Sequence, residues 1–418
     1  MPKNRALIIG AGIAGISAAY YLNKAGFEVT VIDKESGRNN CSYGNAGMIV
    51  PSHIIPLASP GMISKGLRWM LNAESPFYIR PRMNLDLIYW AWKFRKSSTE
   101  KHVRESGPVL RDLLLKSREL LIEIEENENL EFQFKKNGLF MFCNTQKGLD
   151  TEAETAYKAQ DLGVPAKVLT PAEVKNKEPG FDFRITGAVY YPLDAHLHPG
   201  SLMNGLKKLL NSRGVSFIYD TKISRFESDS TKITTATSSD GLTWKADYFI
   251  ICGGAWSAEL AKTSGLKIPL QAGKGYSITL NEPSLIPENC GIFAEAKVTM
   301  TPMDHALRFG GTMEIVGTDR RINTKKLTGL KKSVCNYLPQ INMADLETET
   351  IWVGLRPCSP DGMPYVGAAM KFDNLFVSTG HAMMGMSLAP ASGLIISEMI
   401  SNGRSDLYHQ KIDPNRYN

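Results

Sequence analysis

The stretch from Lys3 to Asp33 constrains this chain more than any other. Ala6-Leu7-Ile8-Ile9 is a short apolar run of the kind a buried parallel strand needs. It leads into Gly10-Ala11-Gly12-Ile13-Ala14-Gly15 and a helical pattern through Ala18, Ala19 and Leu22 that Gly26 ends. Val29-Thr30-Val31-Ile32 is a second strand, with Asp33 at its end. Strand, glycine turn, helix and strand in this order form a βαβ unit that receives a dinucleotide. Gly10 permits the tight turn, Gly12 lets the backbone approach a pyrophosphate, and Gly15 lets helix and strand pack closely. The helix start at Ile13 and Ala14 offers free N–H groups and the positive end of a dipole. Asp33, with Lys34 beside it, stands where an acid accepts from a ribose hydroxyl. The motif does not by itself separate FAD from NAD.

A chain of 418 residues is ample for one large domain or two interlocked ones. Its net charge of +6 is modest for that length and does not argue for nucleic acid. It is compatible with an anionic substrate or an anionic membrane surface. The six cysteines (Cys41, Cys143, Cys252, Cys290, Cys335, Cys358) are scattered, with no C-x-x-C pair. They read as reduced thiols of a cytoplasmic protein. The first strand begins almost at the N-terminus, so no signal peptide is expected, and no apolar run is long enough to span a membrane.

Two further strand–glycine–helix junctions follow. Tyr248-Phe249-Ile250-Ile251 runs into Gly253-Gly254, with a helix expected from Ala255 through Trp256. Asn374 to Thr379 runs into Gly380-His381, and Gly385 opens a helix to Ile400. Three such junctions suggest a cofactor longer than one mononucleotide fold holds. In Gly44-Asn45-Ala46-Gly47-Met48 the small residues suggest backbone passing close to something flat. The Pro-, Trp- and Arg-rich stretch from Pro56 to Lys96 carries Trp69, Trp90 and Trp92; core packing is favoured there over a membrane-facing layer.

Helices are expected over Val109–Glu126, Thr151–Leu162, Pro171–Lys177 and Ser201–Leu210, and strands at Ala188–Tyr191 and Val215–Tyr219. Phe132 to Cys143 reads as a β-hairpin through a Lys-Asn-Gly turn. Ile268–Leu280 and Lys297–Thr318 alternate as antiparallel strands do. Ile351 to Pro357 places Arg356 at a strand end, before the turn-rich Ser359–Pro364. His196 and His198 lack an acid or cysteine cluster, so no metal site is expected.

In their order, these motifs resemble the D-amino-acid oxidase and glycine oxidase superfamily of FAD enzymes, and within it the bacterial D-amino acid dehydrogenase branch. The resemblance rests on Gly44–Gly47, Pro60-Gly61 through Lys65, Trp69-Met70, Arg80-Pro81, Gly253–Ser257, Lys274–Ser277, Gly310–Glu314, Gly354–Pro357 and Gly380-His381. It spans nearly the whole chain. It implies a Rossmann-like α/β domain that binds FAD, interleaved with a mostly antiparallel α+β substrate domain. Residues 1–60, 185–262 and 351–418 would form the first, and 61–184 and 263–350 the second.

The resemblance further implies that Asn45, Ala46, Gly47, Met48, Gly380, Met384, Gly385 and Met386 contact the cofactor, with Gly253, Gly254 and Trp256. It makes Arg356 the clamp for a substrate carboxylate, with Met48, Tyr276 and Met383 around the substrate and His381 facing the flavin. Guanidinium forks suit carboxylates on general grounds; an ion pair to Asp361 is the alternative. One departure concerns the place two residues after the Gly-His pair. Glycine oxidase has a second arginine there, and this chain has Met383. The implied activity is oxidative deamination of a D-amino acid, with electrons passed to a quinone or other respiratory acceptor, peripheral on the inner membrane. A D-proline or hydroxy-D-proline dehydrogenase, an O₂-using oxidase of the same fold and a non-enzymatic dinucleotide-binding protein are the other readings.

Overall fold

The computed structural model describes residues 4–37, 40–347 and 349–418. Its centre is a six-stranded sheet in which Arg5–Ile9 lies between Glu28–Ile32 and Tyr248–Ile251, all parallel. Ser216–Ile218 extends one side and Leu375–Thr379 the other, with Tyr365–Ala368 antiparallel at the edge. These central strands are short and apolar because both faces are covered, one by helices and the other by the small antiparallel sheet Ile223–Ser228, Ile233–Ser238 and Thr243–Trp244 with helix Ser257–Thr263. Helix Ile13–Lys24 packs against helix Gly385–Asn402 so closely that a Cβ on Gly393 would strike the Ser17 backbone. Helix Glu100–Glu128 lies on the latter, and its Ser117 hydroxyl accepts from the Ala391 amide.

A nine-stranded mixed sheet forms the second layer. One side of it is the antiparallel run Ile351–Cys358, Gln271–Asn281, Ala306–Ile315 and Val298–Met303. The expected strand over Lys297–Thr318 is thus a hairpin, turned at Asp304, whose φ is 55°.

Several expectations hold with shifted ends. The Val109 helix begins at Glu100, capped by Thr99; the Thr151 helix begins at Gln146, capped by Thr145. Pro171–Lys177 has the expected bounds, with a reciprocal Thr170–Glu173 capping box. The Ser201 helix runs Pro199–Ser212, and the helix expected from Ala255 is a 3₁₀ turn followed by Ser257–Thr263.

One expectation fails. Phe132–Cys143 is not a hairpin. Only Leu139–Cys143 is a strand, and it pairs with Cys290–Phe293 and Gly187–Tyr191. Phe132 and Phe134 instead enter the core beneath the central sheet's helices, where burying two aromatic rings outweighs a local turn. In addition, Gly187–Tyr191 and Ile351–Cys358, which fell within the expected cofactor segments, hydrogen-bond into the nine-stranded sheet.

Candidate active site

The carboxyl ends of the parallel strands open on a cavity of about 810 Å³ that extends to the face of the nine-stranded sheet. Its first end is built from backbone. Gly10 has φ +115°, and a Cβ there would collide with the Cys252 carbonyl. A Cβ on Gly15 would collide with the Gly10 carbonyl, so this glycine serves helix–strand contact and does not line the cavity. Gly12 differs: the nearest protein atom to its missing Cβ is Ser42 Oγ at 3.5 Å. The space over Gly12 is left for something other than protein.

Ser42 Oγ accepts from the Ile13 amide at 3.0 Å, and Asn40 Nδ2 donates to the Ala11 carbonyl at 2.9 Å. The Asp33 carboxylate accepts from the amides of Ala11 at 2.6 Å and Glu35 at 2.8 Å. Lys34 Nζ sits 3.2 Å from the centre of a Trp256 ring. Gly10, Gly12, Ile13, Ala14, Asp33, Lys34, Gly253, Gly254 and Trp256 all line this end. A free turn over Gly12, a helix start and a buried acid fit a dinucleotide pyrophosphate and ribose.

Chain from distant segments forms the other end. Asn45, Ala46 and Met48 line it, as do Met383, Met384, Gly385 and Met386. Gly47 and Gly380, both at positive φ, shape the backbone and stand off the cavity. The flat neighbour of Gly44 is the Trp352 ring, which a Cβ there would strike. Arg308, from the nine-stranded sheet, donates through Nη1 to the carbonyls of Tyr43 at 3.0 Å and Asn45 at 2.8 Å. Ser387 Oγ donates to the Met48 carbonyl at 2.8 Å and accepts from the Val50 amide at 3.2 Å.

Arg356 projects from strand Ile351–Cys358 into this end. A Cβ on the facing Gly275 would overlap its guanidinium. Nη1 donates to the Thr312 carbonyl at 2.6 Å, and no carboxylate pairs with it among the described residues. Asp361, the alternative partner, is bound instead to Arg416 Nε at 2.7 Å and Nη2 at 3.1 Å. Burial pushes the Arg356 guanidinium below its ordinary value, yet an arginine stays charged there. Thr312 sits at φ 64°, where the strand bulges against Lys274–Tyr276. That conformation is costly for a β-branched residue.

Tyr276 lines the cavity, but its hydroxyl is engaged. It donates to Glu314 Oε1 at 2.5 Å and accepts from the Asn323 amide at 3.0 Å. Its ring, rather than its hydroxyl, is what a substrate would meet. His381 is buried and pushed down to about 4 by burial. Its Nε2 lies 2.9 Å from Ser392 Oγ, which donates onward to the Leu388 carbonyl, so Nε2 carries the proton. His196 pairs in a short strand with Met48, and His198 caps helix Pro199–Ser212. No metal-holding cluster occurs among the described residues.

The sequence pattern of the DAO family, described as FAD dependent oxidoreductase, matches residues 5–399. The chain belongs to that family. Its dinucleotide is therefore FAD, which the open turn over Gly12 fits. A D-amino acid dehydrogenase of Granulibacter bethesdensis is 32% identical over 422 residues, covering 99% of each chain. Glycine oxidase from Geobacillus kaustophilus superposes with a TM-score of 0.78 at 22% identity, covering 100% of both chains. L-proline dehydrogenase from P. horikoshii gives 0.73 at 20%, covering 100% of this chain and 98% of that one. These two share the α/β and antiparallel architecture. Within this DAO-family site, Asn40, Ser42 and Arg308 went unread in the sequence. Each acts on backbone brought from elsewhere, and no local pattern marks it.

Proposed function

We propose that the chain is a D-amino acid dehydrogenase, and one observation carries this. Arg356 is a half-buried cation without a carboxylate partner, facing the same cavity as the cradle for FAD. A charge so placed calls for an anion from the ligand. The Thr312 carbonyl fixes one arm of the fork and leaves the rest for a substrate carboxylate. FAD, when bound there, would supply the acceptor for the Cα hydrogen and its electron pair. Arg356 holds the carboxylate and so turns Cα toward the cofactor end. Met383 and Met384 give this end of the cavity an apolar side. The amine must be neutral before the hydride leaves. The imino acid then hydrolyses to a 2-oxo acid and ammonia.

Arg356→Lys keeps the charge and loses the two-point contact. We expect a loss of about 2–4 kcal/mol of transition-state stabilisation, and more for Arg356→Ala. The deciding measurement is kcat/KM for D-amino acids against their amides. The unaltered enzyme should favour the acids strongly and Arg356→Ala should not. Equal ratios in both proteins end the assignment.

For the acceptor, the reading is a quinone in an anionic membrane. Residues 62–97 hold seven Lys and Arg against two Asp and Glu. Leu67, Leu71, Met83, Leu85, Ile88 and Trp92 stand exposed there. Ile63 and Leu67 also border the cavity. Apolar groups ringed by cations match an anionic bilayer. Trp90, in contrast, is core: its Nε1 donates to the Cys358 carbonyl at 2.9 Å. No described helix is long and apolar enough to cross a membrane. Reduced enzyme mixed anaerobically with phosphatidylglycerol vesicles containing quinone should reoxidise faster than in air, and Leu67→Glu should slow the vesicle reaction alone. Faster reoxidation by air, with peroxide formed, would make the chain an oxidase.

A further inference from the structure

A second polar cluster borders the cavity, away from Arg356. His53 follows Met48 on the same segment, with its amide bonded to the Val50 carbonyl at 3.0 Å. Its Nδ1 lies 3.1 Å from Ser52 Oγ, and Ser52 Oγ donates to Asp194 Oδ2 at 2.5 Å. The Ser52 amide donates to the other oxygen of Asp194 at 3.0 Å. Asp194 is fully buried. Above about pH 7, where Asp194 is ionised, the Ser52 proton is committed to Asp194 and Ser52 Oγ can only accept from the ring. The proton of His53 therefore sits on Nδ1, and Nε2 presents a lone pair.

His53 lines the cavity, and no described residue bonds its Nε2. The same cavity is lined by Met48, Val50, Ile55, Met141 and Ile292, which pack as one apolar cluster, and by Lys297. Burial, with the nearby Lys297 charge, pushes the imidazole down to about 4, so it is neutral. This neutral acceptor is open to the cavity, where a ligand donor can displace water from it. Two ligand groups are disfavoured. A carboxylate side chain would set two acceptors together. An ammonium side chain would meet the positive charge of Lys297. A hydroxyl is neutral and donates.

We propose that His53 Nε2 recognises a hydroxyl on the substrate side chain, making the preferred substrates hydroxylated D-amino acids. This rests on the dehydrogenase reading, with Arg356 holding the carboxylate and His53 reading the far end. Ser52 and Asp194 are positioning residues that fix the tautomer.

The test compares matched pairs: D-serine with D-alanine, and 4-hydroxy-D-proline with D-proline. Flavin bleaching gives kcat/KM for each. The unaltered enzyme should favour the hydroxylated member of at least one pair by about tenfold or more, the scale of one lost hydrogen bond to a buried acceptor. His53→Leu should bring that ratio near one. Ser52→Ala frees the tautomer and should lower the ratio partway, and it keeps the test alive if His53→Leu does not fold. No preference in the unaltered enzyme, or an unchanged ratio in either folded variant, overturns the proposal. If no D-amino acid bleaches the flavin at all, it is the dehydrogenase reading that fails.

Discussion

Arg356 and Arg416 are both largely withdrawn from the outer surface, and their surroundings are opposite. Arg416 lies against Asp361 through two hydrogen bonds and has its guanidinium 3.9 Å from the centre of the Tyr365 ring. It also donates to the Met363 and Asp413 carbonyls. Burial alone would push its pKa down, but Asp361 more than reverses that and holds it above the ordinary value. Arg356 has one carbonyl, no acid and a pKa pushed down by burial. The two arginines show how one residue type divides between holding a fold and waiting for a ligand. A charge whose partner is built in belongs to the fold; a charge without one belongs to the site.

The comparison breaks most sharply at Arg416. Arg416→Ala leaves Asp361 buried and unpaired, and should cost about 3–5 kcal/mol of stability. Denaturant unfolding of the flavin-bound protein measures this, and the acid-to-amide preference of the surviving enzyme should stay as it was. A lost preference would mean that the pair also serves the site.

The buried aspartates sharpen the contrast through pH. Burial pushes Asp361 up, but Arg416 outweighs it and holds the carboxyl below its usual range. Its contribution is present above the unfolded pKa and is lost as pH falls through the folded one. Asp194 is raised from 3.8 to about 7, by burial first and against the Ser52 hydrogen bonds. Between those values the folded state keeps a proton that the unfolded state releases. Its contribution therefore declines as pH rises from about 4 to about 7. Asp194→Asn should flatten Tm against pH in that window, and Asp361→Asn should flatten it on the acid side. Both variants leaving the profile untouched would place the pH dependence elsewhere.

The smallest expected effect is the most telling. Arg356→Met removes a half-buried cation that no carboxylate pairs with among the described residues. The flavin-bound, substrate-free protein should keep its stability within about 1 kcal/mol, or gain. Loss of several kcal/mol on unfolding would make Arg356 a second Arg416.

Sequence patterns reached the backbone-built end of the cavity almost whole, because its logic is local. Gly10, Gly12, Gly15 and Asp33 lie in one βαβ unit, and each has a stereochemical reason readable in place. The side-chain end was legible only in its residue types. Arg356 stood out, but its partner did not. Thr312 reaches it through a bulge between strands that are far apart in sequence. Asp361 looked available for Arg356 until Arg416, from the C-terminal tail, took it. The Phe132–Cys143 hairpin failed for the same cause: its turn residues are local, whereas the strand partners lie at Gly187 and Cys290.

Strand Arg5–Ile9 carries a further consequence, in time rather than space. Its neighbour on one side is made almost at once. On the other side it waits for Tyr248–Ile251; the Arg5 amide bonds to Asp247, 242 residues later. At roughly 5–20 residues per second, a ribosome needs on the order of 12–50 s to deliver that strand. Until then an apolar strand edge stands open, a template for pairing with other nascent chains. Leu375–Thr379, the next strand of the sheet, comes later still. The FAD site thus cannot close until nearly the whole chain has emerged, and slowing translation before Tyr248 should raise the aggregated fraction.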